Sequence, residues 1–116
     1  TAQTIHDVFT NEHYLLDQHT AVADAVYTKY KKETGDETPT VVVSTASPYK
    51  FPQSVLSALD VDTNQSDAEL MDAIQQESVI AIPTAVTSVL DAPIRHTKVL
   101  SIEGMKQSVL DSLNIQ

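Results

Sequence analysis

The sequence predicts an α/β fold in which several helices surround a short, mostly parallel sheet. Val41, Val42 and Val43 are consecutive β-branched residues, a pattern typical of a strand that is covered on both faces. Segments with helical periodicity precede and follow this run. Two further segments, 79–82 and 97–101, have the composition of short strands. A unit of helix, strand and helix favours an α/β architecture.

Length and charge limit the organisation and the partners of the chain. With 116 residues and 41% hydrophobic composition, we expect one modest unit that spans residues 1–116. A formal net charge of −9 disfavours contact with nucleic acid or with an anionic membrane surface. The chain has no cysteine, which is compatible with a reducing compartment, and no run of about 20 apolar residues. We therefore expect a cytoplasmic protein.

The first two helices are predicted from apolar spacing and end signals. Ile5, Val8 and Phe9 recur at helical spacing, so we expect a first helix of about three turns. Asp17 is the predicted N-cap of a second helix over residues 19–34, and Gly35 follows its last turn. One face of that helix carries Val22, Ala25, Val26 and Tyr30.

The rest of the chain alternates predicted strands and helices. We expect a strand over 40–44, a helix over 51–59 and another helix after the capping box formed by Ser66 and Glu69. Residues 79–82 are expected to be extended or a short strand, residues 83–90 a helix, and residues 97–101 an edge strand. Ser101 is the predicted cap of a last helix. Its inward face would consist of Ile102, Met105, Val109 and Leu113.

Hydroxyl side chains follow the predicted strand at the position where open α/β sheets bind ligands. Ser44, Thr45 and Ser47 occupy that position, and Pro48 and Pro52 fix the backbone beyond it. This pattern favours the floor of a ligand site. The alternative is a polar strand end whose hydroxyls bind only nearby backbone groups.

Several other chemistries are disfavoured by residue spacing. The four histidines, His6, His13, His19 and His96, lack the paired spacing of a zinc site, so we predict no metal. Ser44 and Ser47 lack the glycine-flanked elbow of a nucleophilic serine. The chain has only two glycines, too few for a glycine-rich phosphate loop. We therefore predict no catalytic residue among the 116.

Two motifs carry a resemblance to a known family. Residues 14–22 (YLLDQHTAV) and 44–52 (STASPYKFP), followed by Ile82, Pro83 and residues 93–96 (PIRH), resemble the carboxyl-terminal part of threonine synthase. The resemblance implies the fold of type II pyridoxal-phosphate enzymes, which are similar to tryptophan synthase β. It also implies a full-length enzyme that converts O-phosphohomoserine and water to threonine and phosphate.

The resemblance assigns roles to individual residues. It places Thr45 against the pyridine nitrogen of pyridoxal phosphate in the full-length enzyme. The Schiff-base lysine and the phosphate loop would belong to the amino-terminal part, so Lys50 is not that lysine and this segment alone would be inactive. His19 and Thr20 would approach the same site from a helix start, whose unpaired amide groups favour an anion.

Two further expectations remain beside this reading. An excised segment would expose an apolar face toward the missing amino-terminal part, and through that face it could form a homodimer. The alternative function is a stand-alone acidic α/β module that binds a small ligand or another protein.

Overall fold

A computed structural model describes residues 1–90 and 92–115. These residues form six α-helices and one short 3₁₀ helix. In chain order they are α1 (Ala2–Glu12), α2 (Gln18–Thr34), the 3₁₀ helix (Pro48–Lys50), α3 (Pro52–Ser57), α4 (Asp67–Ser78), α5 (Thr84–Leu90) and α6 (Met105–Ser112). No strand occurs in residues 1–90 or 92–115, so the predicted α/β fold with a mostly parallel sheet is wrong.

The predicted strands at 40–44 and 97–101, and the strand alternative at 79–82, are absent for the same physical reason. A strand needs a neighbouring strand to satisfy its backbone groups, and no such pairing occurs within the described ranges. The valine run illustrates this, because the exposed fractions of Val41 and Val43 are 86% and 71%. The β-branched residues at 41–43 therefore lie in an irregular connection and are not buried. Residues 79–82 and 97–101 are likewise outside regular structure.

The predicted first helix of about three turns and the predicted second helix are both present. Helix α1 has 11 residues and ends at His13, which adopts the left-handed conformation. The Asp17 side chain caps α2 by accepting hydrogen bonds from the amides of His19 and Thr20. Gly35 follows α2 with a φ of 67°, a conformation that glycine adopts without steric cost. The face with Val22, Val26 and Tyr30 is largely exposed, since these side chains have exposed fractions of 47–61%.

The signals for the later helices have mixed outcomes. The capping box of Ser66 and Glu69 is present at the start of α4, as predicted. Helix α6 begins three residues later than Ser101 would place it, because Gly104 occupies its N-cap. The Ser101 hydroxyl instead accepts a hydrogen bond from the Gly104 amide at 3.2 Å, in the preceding turn. The predicted inward face is wrong: Ile102, Met105, Val109 and Leu113 are all more than half exposed.

The hydrophobic core lies between α1, α2, α3 and α4. Its buried side chains come only from residues 5–74 and are Ile5, Leu15, Leu16, Ala21, Tyr49, Val55, Leu56, Ala58, Leu70 and Ile74. Helices α5 and α6 contribute no buried residue. The radius of gyration is 19.0 Å, compared with roughly 13 Å for a compact domain of this length. From the carboxyl-terminal third, only the partly buried Ile82 and Val86 pack against this core among the described residues.

Across the two described ranges, none of the helices has both the length and the apolar character that crossing a bilayer requires.

Candidate functional site

The two motifs that carry the resemblance meet in the structure. The amino end of α2 contacts the loop between α2 and the 3₁₀ helix, where the hydroxyl oxygens of Thr20 and Ser44 lie 3.2 Å apart. Twenty-four residues separate this pair in the chain. The sequence analysis expected Thr20 to approach the site of Thr45, but it did not predict the contact with Ser44, because helix and strand signals do not determine which side chains of distant segments meet. The hydroxyl loop, residues 44–47, is thus held against α2.

Asp17 is the centre of this contact. Its Oδ1 accepts the His19 amide at 2.8 Å and the Thr20 amide at 3.2 Å. Its Oδ2 accepts the Thr20 hydroxyl in a short hydrogen bond and faces the Ser44 hydroxyl at 3.4 Å. Although Asp17 was predicted as a cap, its link to Ser44 was missed. Asp17 belongs to the first motif and Ser44 to the second, and only the folded chain brings their side chains together.

The protonation of Asp17 follows from these contacts. Burial raises the pKa of its carboxyl, but the hydrogen bonds from Thr20, the His19 amide and Ser44 outweigh burial and hold the pKa below its ordinary value. The residue is 1% exposed. Asp17 is therefore a buried carboxylate that stays charged at neutral pH.

His19 and Lys50 border the contact on the solvent side. The His19 Nδ1 lies 3.4 Å from Asp17 Oδ1, and the imidazole is tilted against the Phe51 ring with 5.2 Å between centroids. The Lys50 Nζ lies 5.5 Å from the centroid of the same ring. The amides of His19 and Thr20 are not free, since Asp17 accepts both, while the expected approach of these two residues to the cofactor stays a prediction.

Thr45 is exposed between two fixed neighbours. On one side, the Ser44 hydroxyl lies 3.2 Å from the Ala46 carbonyl oxygen and so reaches past Thr45. On the other side, Ser47 caps the 3₁₀ helix, where its hydroxyl accepts the Tyr49 amide at 3.3 Å. The loop is therefore restrained while the Thr45 side chain points into solvent-accessible space. Its predicted contact with a cofactor remains a prediction.

Tyr49 fixes the far end of the loop and was not singled out from the sequence. It is 2% exposed, and its hydroxyl donates to the Ile80 carbonyl in a short hydrogen bond. The sequence does contain a signal for Tyr49, since an aromatic residue between two prolines, Pro48 and Pro52, is held in one orientation. Ser44, Thr45 and Ser47 thus lie on an anchored loop, although no strand precedes them.

A groove of about 410 Å³ lies away from this loop, between α1 and α2. Three carboxylates border it, those of Asp7, Glu12 and Asp24. Because like charges repel, a phosphorylated ligand would be disfavoured there. The loop at 44–47, which carries the predicted site residue Thr45, is therefore the candidate site.

Comparison with known families agrees with the motif resemblance. The family model described as "Threonine synthase, C-terminal" matches residues 20–108, which is well over half of the 116 residues. The matched range includes Thr20, Ser44 and Thr45, and it begins just after Asp17. This match, together with the contact between the two motifs, shows that the chain belongs to the threonine synthase carboxyl-terminal family.

Proposed function

We propose that this chain acts in the cytoplasm as the carboxyl-terminal part of a threonine synthase, which converts O-phosphohomoserine and water to threonine and phosphate. Within that enzyme, Thr45 places its hydroxyl against the pyridine nitrogen of pyridoxal phosphate. The observation that carries this proposal is the position of Thr45, exposed on a loop that lies inside the family match and is tied to α2.

The residues around Thr45 fit a ring nitrogen that remains unprotonated. A threonine hydroxyl is neutral, and it can donate a hydrogen bond to such a nitrogen. The nearby carboxylate of Asp17 is buried and engaged by the α2 amides and the Thr20 hydroxyl, so it cannot pair with the ring. Pyridoxal phosphate itself supplies the electron delocalisation that the reaction requires. Thr45 limits that delocalisation, because a hydroxyl stabilises a protonated ring nitrogen less than a carboxylate does.

The remaining parts of the active site come, in this proposal, from the amino-terminal part of the enzyme. These parts are the Schiff-base lysine and the loop that binds the cofactor phosphate. The two glycines, Gly35 and Gly104, lie beside helix ends, which supports placing a glycine-rich phosphate loop elsewhere. Lys50 is adjacent to the Phe51 ring, where it borders the loop without a catalytic role.

Exposed apolar side chains support a partner surface for that amino-terminal part. On α2, Val22 and Val26 are 48% and 61% exposed, and Val41 and Val43 are more exposed still. Burial of apolar area stabilises an interface by about 25 cal/mol per Å². We propose that the amino-terminal part covers these residues, of which Val41 and Val43 directly precede the loop in sequence.

The test is phosphate release from O-phosphohomoserine by the full-length enzyme with Thr45→Ala or Thr45→Asp. Loss of a hydrogen bond to a buried ring nitrogen corresponds to about 1–3 kcal/mol, or about a five- to 150-fold loss of kcat/KM. Thr45→Asp should in addition favour the protonated ring nitrogen and shift the absorbance of the bound cofactor.

Thr40→Ala is the matched control, since Thr40 is an exposed threonine of the same connection whose hydroxyl donates to the Thr38 carbonyl. It should leave kcat/KM within about twofold. Normal activity and an unchanged cofactor spectrum in both Thr45 variants would refute the assignment.

A further inference from the structure

Asp17 has more acceptor capacity than a helix cap requires. Capping α2 uses only Oδ1, which accepts both amide groups. The second oxygen, Oδ2, is turned toward the hydroxyls of Thr20 and Ser44. One carboxylate oxygen therefore serves the helix, and the other connects the helix to the loop.

The protons of the Thr20 and Ser44 hydroxyls determine which hydrogen bonds can connect α2 to the loop. Each hydroxyl has one proton to donate. The Thr20 proton goes to Asp17 Oδ2, since their contact is the short one. The Ser44 proton can go to Asp17 Oδ2 at 3.4 Å or to the Ala46 carbonyl at 3.2 Å, and the Ser44 oxygen lies 3.2 Å from the Thr20 hydroxyl. Donation to Asp17 ties Ser44 to α2, whereas donation to the Ala46 carbonyl ties together the two residues that flank Thr45.

Burial separates Asp17 from any ligand. Its side chain has no exposed surface, whereas Ser44 and Thr45 are exposed. A buried carboxylate carries a large desolvation penalty unless donors surround it, and here four donors do so. The residue can thus act on the site only through the residues that it holds.

We propose that Asp17 is a positioning residue of the site: through Oδ2 and the Ser44 hydroxyl it holds the turn that presents Thr45, without touching the ligand. This inference rests on the proposed role of Thr45. It also identifies Ser44 as the link between the buried charge and the exposed threonine.

Two variants separate positioning from helix capping. Asp17→Asn keeps Oδ1 as an acceptor, and asparagine caps helices as well as aspartate does. It replaces Oδ2 with an amide NH2 group, which cannot accept the hydroxyl protons of Thr20 and Ser44 and can contact these hydroxyls only as a donor, so the link is weakened. Ser44→Ala removes the link from the exposed side and leaves the cap intact, which keeps the test decisive if Asp17→Asn does not fold.

Asp36→Asn is the matched control. Asp36 is also a carboxylate that accepts an amide and a hydroxyl from a residue two positions later, at 2.9 and 2.6 Å, but it belongs to an exposed turn that precedes the loop. Its replacement should leave residues 44–47 unchanged.

The first readout is ¹⁵N relaxation of this chain without cofactor. We expect the order parameter of the Thr45 amide to be about 0.8 in the unaltered chain and below about 0.6 in Asp17→Asn and Ser44→Ala. Order parameters within α2 should stay at about 0.85. Unchanged values at Thr45 and Ala46 in Ser44→Ala would overturn the inference.

The second readout uses the full-length enzyme and a double-mutant cycle. Ser44→Ala should lower kcat/KM by about tenfold and shift the pH dependence of the cofactor absorbance, yet change both by less than about twofold when Thr45 is already alanine. Additive effects of the two substitutions would overturn the inference. If Thr45→Ala itself changed neither quantity, the proposed role of Thr45 would fail, while the relaxation data would still decide whether Asp17 restrains the loop.

Discussion

The phenol of Tyr49 donates a hydrogen bond to the backbone carbonyl of Ile80, thirty-one residues further along the chain. This bond joins the loop that carries Thr45 to the segment after α4. Burial raises the pKa of Tyr49, so the phenol keeps its proton and remains a donor across the physiological range.

Tyr49→Phe should therefore destabilise the chain without disturbing its packing. Loss of the hydroxyl leaves the Ile80 carbonyl without this donor, and we expect the free energy of unfolding in urea to fall by about 0.5–1.5 kcal/mol. Tyr14→Phe is the control, since Tyr14 is 52% exposed, and its effect should lie within about 0.5 kcal/mol. Equal effects of the two substitutions would contradict the importance of the bond.

The depressed pKa of Asp17 predicts a loss of stability in acid. Since the folded-state pKa lies below the unfolded-state value, the carboxylate contributes its full stability above about pH 4 and loses it as pH falls through the folded-state pKa. Asp17→Asn should cost about 1–3 kcal/mol at neutral pH and flatten the decline below about pH 4.

Urea midpoints of both proteins between about pH 7 and about pH 3 would measure this difference. Asp36 and Glu69 also have lowered pKa values, caused mainly by hydrogen bonds from Thr38 and Ser66, so some decline should persist in the variant. Parallel pH profiles for the two proteins would show that Asp17 does not contribute as described.

The two glycines should differ sharply in their tolerance of a side chain. Gly35→Ala places a Cβ on a residue with a φ of +67°, which should cost about 1–2 kcal/mol even though no atom obstructs the Cβ. Gly104→Ala serves as its control, because Gly104 has a φ of −77° and its added Cβ would only touch Ser101 at 3.4 Å. Thermal unfolding should show Gly104→Ala within about 0.5 kcal/mol of the unaltered chain, and an equal loss at both positions would be inconsistent with this account.

Truncation of a leucine should lower the free energy of unfolding strongly only where that leucine is buried in the core. Leu70 on α4 is fully buried, so Leu70→Ala should lower the free energy of unfolding by about 2–5 kcal/mol. Leu113, just after α6, is 62% exposed, and Leu113→Ala should change it by less than about 0.5 kcal/mol. Denaturant unfolding of this chain measures both changes in the free energy of unfolding. A large loss of stability for Leu113→Ala would contradict the description of the core.

Local signals predicted several helix ends correctly, although the Ser101 signal placed the start of α6 three residues too early. The Asp17 cap, the Gly35 stop and the capping box of Ser66 and Glu69 depend on groups within a few residues of one another, so the sequence contains all the interactions involved. The family resemblance was likewise confirmed, because it depends on motif order and not on packing.

Signals that depend on a distant partner were less reliable. The valines at 41–43 have strand propensity, but propensity reflects packing against neighbours that the described chain does not provide. The apolar spacing of α6 predicted a buried face for the same reason and failed in the same way. In the site, the hydroxyl loop was predicted, whereas its attachment to Asp17 and Tyr49 depends on tertiary contacts across many residues.

The valine segment at 41–43 also affects the tendency of separate molecules of the chain to associate. Within the described ranges, its backbone makes no ladder with another segment, and β-branched residues in such a state are prone to pair with the same segment of another molecule. Mutual repulsion between molecules opposes this pairing, since each carries sixteen acidic residues against seven lysines and arginines. Acidification and high salt weaken that repulsion by protonating or screening the carboxylates, so dispersion of the isolated chain depends on its charge as well as on its folded core.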